Sequence, residues 1–282
     1  MRWRCADFEY VFPRPALVMG VVNVTPDSFS DQGQFFDIGA AIARGMALAA
    51  EGADIIDVGG ESTRPGATPV SLEEELRRVI PVVEELSLRL NIPVSIDTRK
   101  PQVAEAALLS GASIVNDIGA NRSEAGMWEV VATHRAGYVA MHMQGQPENM
   151  QENPFYRDVC GEVEGFFTNV LSRLSAFGIP EEQAVFDPGI GFGKTPEHNL
   201  KLLARIDDFR KLGRPMMVGL SRKSFIGSIL GVDVADRLAG TLACTQWCQW
   251  HGVQLFRTHD VLATKQVLRM SGALSSAREC LS

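Results

Sequence analysis

Ala16-Leu17-Val18-Met19-Gly20-Val21-Val22 contains only apolar residues and glycine, and it runs straight into Asn23-Val24-Thr25-Pro26-Asp27-Ser28. The first part reads as a strand buried on both faces and the second as a polar turn. Asn23, the first polar side chain after the run, therefore stands at the strand's carboxyl end. Seven further short apolar runs follow, at 55–58, 94–96, 113–115, 138–141, 184–186, 216–220 and 254–256. The intervals between them carry helix signals. Ser71 before Leu72-Glu73-Glu74 predicts a capping box with Glu74 at its third position, and Pro196 suits the first turn of another helix. Strand then helix, eight times over, predicts an α/β fold of one domain: a single (β/α)8 TIM barrel over residues 1–282, with 1–15 as a lead-in.

An open doubly wound sheet shares the alternation but usually carries a glycine-rich nucleotide loop after its first strand. Here that position holds Asn23-Val24-Thr25-Pro26-Asp27 instead. Gly189-Ile190-Gly191-Phe192-Gly193-Lys194 resembles a phosphate loop only superficially, because its spacing fits neither the dinucleotide nor the P-loop fingerprint.

The bulk composition narrows the function classes. With 45% hydrophobic and 22% charged residues the chain reads as an ordinary globular protein, and no apolar stretch approaches the roughly 18–20 residues that cross a bilayer. The polar start, Met1-Arg2-Trp3-Arg4-Cys5-Ala6-Asp7, lacks a secretory core, which points to the cytoplasm. Five scattered cysteines form no disulfide framework, and Cys244 with Cys248, one helical turn apart, reads as a core helix face rather than a zinc site. A formal charge of −7 argues against a broad nucleic-acid or membrane surface. Any anionic ligand must find local positive charge.

In barrels of this kind the active site lies at the carboxyl ends of the strands, so each strand exit can be read for chemistry. The exits are Asn23; Glu61-Ser62-Thr63-Arg64-Pro65-Gly66; Asp97-Thr98-Arg99; Asn116-Asp117; His142-Met143-Gln144; Asp187-Pro188-Gly189; Ser221-Arg222-Lys223-Ser224; and Arg257-Thr258-His259-Asp260. Any one of these could be a helix cap or a solvated rim residue; eight polar exits out of eight suggest more. Asp97, Asp187, Asn116 and Lys223 supply acceptors and donors for a flat polar heterocycle. Arg64, Arg257, His259 and Asn23 suit a polyanion. If the chain is still extended there, Arg257 and His259 point the same way.

These segments, together with Asn23 to Asp31, Gly52 to Gly66, Met141 to Gly145 and Asp187 to Lys194, resemble in content and order the dihydropteroate synthases of the bacterial folate pathway. The resemblance covers nearly the whole chain. It implies condensation of 6-hydroxymethyl-7,8-dihydropterin diphosphate with 4-aminobenzoate, with Mg2+ present, in a homodimer. It further implies that Asp97, Asn116, Asp187 and Lys223 hold the pterin, and that Asn23, Thr63, Arg64, Arg257 and His259 surround the diphosphate, Asn23 also lying near the metal. Asp97, Lys223, Arg257 and His259 are then the catalytic set. Phe29, Thr63, Pro65, Phe192, Lys223 and Ser224 fall to the aminobenzoate, whose carboxylate Ser224 suits because a helix should begin there; without the resemblance, Phe192 reads as plain core. Sulfonamide sensitivity follows from the same residues. His142 and Gln144 read as structural, or as supports behind the residues that touch the ligand. Ile190, Gln32 and Thr258 depart from the usual pattern, and Thr258 is expected to alter packing under the diphosphate. The rivals are a pterin-binding methyltransferase, which needs no diphosphate site, and a non-catalytic pterin-binding protein, which would have lost part of the charged set.

Overall fold

A computed structural model describes residues 1–25, 38–63, 66–120 and 126–279. Phe29, Arg64 and Pro65 lie outside the described residues. The first two strands, β1 (Arg2–Cys5) and β2 (Phe8–Val11), pair as an antiparallel hairpin. Eight parallel strands follow: β3 (Leu17–Asn23), β4 (Ile55–Gly59), β5 (Val94–Asp97), β6 (Ile114–Asp117), β7 (Gly137–Met141), β8 (Ala184–Asp187), β9 (Met217–Gly219) and β10 (Leu255–Thr258). Their order steps once round a ring, β8-β7-β6-β5-β4-β3-β10-β9, and a parallel bridge between Phe186 and Met216 joins its ends. The α/β barrel expected from the alternation is therefore closed.

Side chains alternate across a strand, and each wall of this barrel shows it. Val18, Val22, Ile56, Val58, Ile96, Val115, Phe186 and Val218 pack outward into one large core with the helices. Leu17, Met19, Ile55, Ile114, Val139, Val185, Met217 and Leu255 pack inward on one another. Two residues further along, the same inward face carries Asp57, Asn116, Asp187 and Arg257. An apolar layer fills the barrel's lower half and a polar layer sits directly on it.

The helices are capped as local chemistry dictates, with one correction. Ser71 accepts from the Glu74 amide at 3.2 Å and starts the helix Leu72–Arg89, but the reciprocal half of the expected capping box does not form. The Glu74 carboxylate turns instead to Arg77 and Arg78. A full capping box appears at Thr195 and His198, with Pro196 in the first turn of Pro196–Ala204. Cys248 is buried and Cys244 half-buried on the helix Leu238–Trp250, and among the described residues no cluster of metal ligands occurs. Among those residues, too, no helix is long and apolar enough to cross a membrane.

The lead-in is not a loose segment: residues 2–11 fold into the hairpin that closes the barrel's amino-terminal end. Trp3, Cys5, Tyr10 and Phe12 join the inward apolar layer, while Arg2, Arg4, Glu9 and Val11 face out. Trp3 is fully buried, stacks on Tyr10 at 5.6 Å and donates its indole N–H to the Gln183 carbonyl at 3.0 Å. Trp3→Ala should cost about 3–5 kcal/mol in denaturant unfolding, the range for deleting a buried aromatic. A loss under 1 kcal/mol would show that the hairpin is not part of the folding core.

Candidate active site at the carboxyl ends of the strands

The polar layer is organised by Arg257. Its Nε donates to Asp57 Oδ2 at 2.6 Å and its Nη2 to Asp97 Oδ2 at 2.6 Å, so one guanidinium bridges two carboxylates on neighbouring walls. Asn116 Nδ2 donates to the same Asp57 oxygen at 3.0 Å. Asp57 is completely buried, and its other oxygen has no hydrogen-bond partner. Strand register explains the convergence: Asp97 lies opposite Gly59 on one side and Asn116 on the other, while Arg257 lies opposite Gly219 and Met19. The small neighbours leave room above the apolar layer.

Asp187, at the end of β8, accepts from the Gly189 amide at 2.8 Å, and Lys223 comes within electrostatic reach of it. Burial pushes the Asp97 carboxyl up to about 7, against the pull of Arg257. Burial likewise raises Asp187, opposed by the Gly189 amide and by Lys223, and brings the Lys223 ammonium down to about 8. Each of these groups is thus easily perturbed by a ligand that offers it a partner.

A glycine-rich segment forms one side of this layer. Gly189 and Gly193 adopt positive φ (65° and 58°), and a Cβ on either would come within 1.9 Å of the His142 carbonyl or 2.5 Å of the Gln144 carbonyl. The glycines permit the close packing of two loops. Lys194, buried between those loops, donates to the Phe192 carbonyl at 3.0 Å and the His142 carbonyl at 3.3 Å, with its Nζ 3.0 Å from His142 Nδ1. Gln144 bonds the Phe155 backbone at both its amide nitrogen and its oxygen. Phe192 packs on Ile118, Met141, Met143 and Met150 while the Lys223 ammonium lies 4.0 Å from its ring centroid.

The rim lies one residue above. Asn23 ends β3, and its Nδ2 stands 3.4 Å from His259 Nε2. Ser221 Oγ accepts from the His259 amide at 3.3 Å and lies 3.0 Å from Nδ1. The imidazole therefore sits between two polar groups. Loss of solvation and then the Arg257 charge hold its pKa below the usual histidine value, so it is neutral at pH 7. Arg257 does not point to this rim; its guanidinium lies in the layer beneath. Thr63 is half-buried in the segment after β4, whose start is anchored where Glu61 pairs with Arg99 and Lys100. Ser224 begins the short helix Ser224–Leu230 and is exposed. Thr258, expected to alter packing, is buried and accepts from the Asp260 amide at 3.1 Å.

Asp57 is a member of this layer that its strand's apolar neighbours conceal in the sequence. The signal was present, since a lone carboxylate inside Ile55-Ile56-Asp57-Val58 has no place in a fully apolar strand. An NMR titration should place the His259 midpoint clearly below 6.5; a midpoint at or above 6.5 would contradict the rim electrostatics.

The fold agrees with that of solved relatives. The family model for pterin binding enzymes matches residues 19–259. The dihydropteroate synthase of Escherichia coli (strain K12) is 47% identical over 262 residues, 93% of each chain. The solved Yersinia pestis dihydropteroate synthase with a sulfonamide drug is 40% identical, with a TM-score of 0.91 covering 98% of this chain and 100% of that one. The Xanthomonas albilineans dihydropteroate synthase in complex with 7,8-dihydropteroate is 41% identical, with a TM-score of 0.88 covering 98% and 99%. The chain therefore belongs to the pterin-binding enzyme family, among the transferases called dihydropteroate synthases.

Proposed function

We propose that the chain joins 6-hydroxymethyl-7,8-dihydropterin diphosphate to 4-aminobenzoate, giving 7,8-dihydropteroate and diphosphate. The observation that carries this reading is the stacking of two unlike zones: a buried layer of carboxylates, amide, ammonium and guanidinium, and a half-open polar rim above it. The layer suits the amino, amide and carbonyl edge of a pterin. Asp187 accepts from its N–H groups, Asn116 meets the ring edge, Lys223 donates to the carbonyl, and Arg257 with Asp97 lies alongside the ring. Asn23, Thr63 and His259 face the diphosphate, which Arg257 reaches from below, and the resemblance assigns Arg64 to the same ligand. Phe192, Thr63, Lys223 and Ser224 form the aminobenzoate wall, which a sulfonamide would share, and the resemblance assigns Phe29 and Pro65 to that ligand too.

In the reaction the bond from the pterin methylene carbon to the diphosphate oxygen breaks first, and the electron pair leaves with the diphosphate. The remaining cation spreads over the electron-rich ring, and the Asp97 carboxylate stabilises it electrostatically. The arylamine nitrogen then attacks the methylene carbon, forms the C–N bond and loses its proton to water. An arylamine is already neutral near pH 7, so no strong base is needed.

Mg2+ fits the donor set in one manner. Among the described residues no three acidic, histidine or cysteine side chains cluster, as a metal cage would require, yet Asn23 offers an amide oxygen at the rim. Such a site suits an ion that arrives on the substrate's phosphates and takes one protein ligand, adding charge neutralisation to the leaving group.

A homodimer fits the surface. Ile229, Leu230, Val234, Trp247, Trp250, Leu262, Met270 and Leu274 are all exposed on the consecutive carboxyl-terminal helices, which pack side by side. Exposed apolar groups in such number suit an interaction surface. Trp250→Glu should convert the dimer to monomer in sedimentation; unchanged mass would exclude this face. A cytoplasmic location accords with the reading.

Purified protein should release diphosphate only when both substrates and Mg2+ are supplied, with sulfonamide competing against the aminobenzoate. Methyl transfer from a methylated folate without diphosphate release would overturn the assignment. Asp187→Ala should weaken dihydropterin binding in calorimetry by at least about 100-fold, the usual cost of breaking a buried charged contact. Unchanged affinity would remove Asp187 from the pterin edge.

A further inference from the structure

The loops after β9 and β10 are zipped together just outside the reacting groups. Ser221 meets His259 through both backbone and ring, and the next residue on each side repeats the pattern. Arg222 Nε donates to Asp260 Oδ2 at 3.0 Å and its Nη2 to Oδ1 at 2.8 Å, a two-pronged fork on one carboxylate. Arg222 immediately precedes Lys223, and Asp260 immediately follows His259. The fork therefore joins the residue beside the pterin ammonium to the residue beside the diphosphate imidazole.

Its surroundings are built to hold it. Arg222 has φ +53°, a left-handed conformation that a non-glycine residue seldom adopts and that costs on the order of 1 kcal/mol. Thr241 Oγ1 accepts the Arg222 amide at 3.0 Å, and Arg237 Nη1 donates to its carbonyl at 3.2 Å. On the other side Thr258 Oγ1 accepts the Asp260 amide, and Thr264 Oγ1 lies 3.3 Å from Thr258 Oγ1. The pair is only partly exposed, with side-chain accessibilities of 33% and 18%. Two parallel charge-assisted bonds fix orientation as well as distance, which a single lysine contact would not.

We propose that Arg222 and Asp260 are a positioning pair that locks Lys223 and His259 into one frame, so that the pterin and its departing diphosphate are held by a single rigid unit. Neither side chain is required to touch substrate. The inference rests on the transferase reading above, and its consequence is specific: breaking the fork at either end should have the same effect as breaking it at both.

The test is a double-mutant cycle on Arg222→Gly, which keeps the left-handed backbone accessible while removing the fork, and Asp260→Asn, which keeps the shape while removing the charge. Each single variant should weaken the calorimetric affinity for inorganic diphosphate and lower kcat/KM by about tenfold, and the double should be no more than about threefold worse than either. Calorimetric affinity is read per folded molecule, so a variant that merely unfolds in part does not mimic the result. Asp260→Glu, which retains a carboxylate for the fork, should recover most of the loss. The His259 ring resonances of the ligand-free protein should shift in both single variants and move little further in the double. Multiplying losses in the double variant, unshifted His259 resonances, or unaltered diphosphate affinity would overturn the pair. An inactive wild type would instead count against the transferase reading, while the ligand-free resonances still decide the pair.

Discussion

A guanidinium held between two carboxylates inside a closed barrel is the interaction on which the site depends. Arg257 contacts Asp57, which is fully buried, and Asp97, which is nearly so. A buried carboxylate without a partner costs several kcal/mol, and removing one member of such a pair strands the other. Arg257 resolves this for both acids at once, and Asn116 adds a neutral bond to Asp57. The layer cannot slide by one residue, because a slip in register would send every polar side chain to the helix-facing core and bring apolar ones inward.

The vertical order of the barrel then assigns the chemistry. The hairpin seals the bottom, apolar side chains fill the middle, charged ones lie above them, and the rim opens where the strands end. The charged layer is already desolvated and aligned before any ligand arrives. Above it the rim sets a neutral imidazole beside an amide. Phe192 sits between the zones, its ring carrying the Lys223 ammonium on one side and packing against the methionine cluster on the other.

Much of this was legible in the sequence. Alternating apolar runs specify strand, helix and closure, and the polar exits mark the working end. Asp97, Asn116 and Asp187 are strand residues rather than loop residues, because they pair within the barrel and so extend the ladder past the last apolar position. The pairing itself was not legible: Arg257 and Asp57 are 200 residues apart in sequence and meet only on closure. Asp57 was hidden by its apolar neighbours, and the hairpin by its brevity, although Trp3, Cys5, Phe8, Tyr10 and Phe12 alternate as a two-stranded unit should. The geometry also moves Arg257 from the rim, where its spacing from His259 suggested it, to the floor beneath.

The most direct measurement is a crystal structure with a dihydropterin and 4-aminobenzoate bound together. The amino edge of the pterin should lie against Asp187, its carbonyl against Lys223 and its ring beside Arg257, with the methylene directed toward the rim of Asn23 and His259. A pterin bound outside the barrel mouth, or one inside whose methylene points down toward the apolar layer, would contradict the division between buried ring site and open leaving-group site.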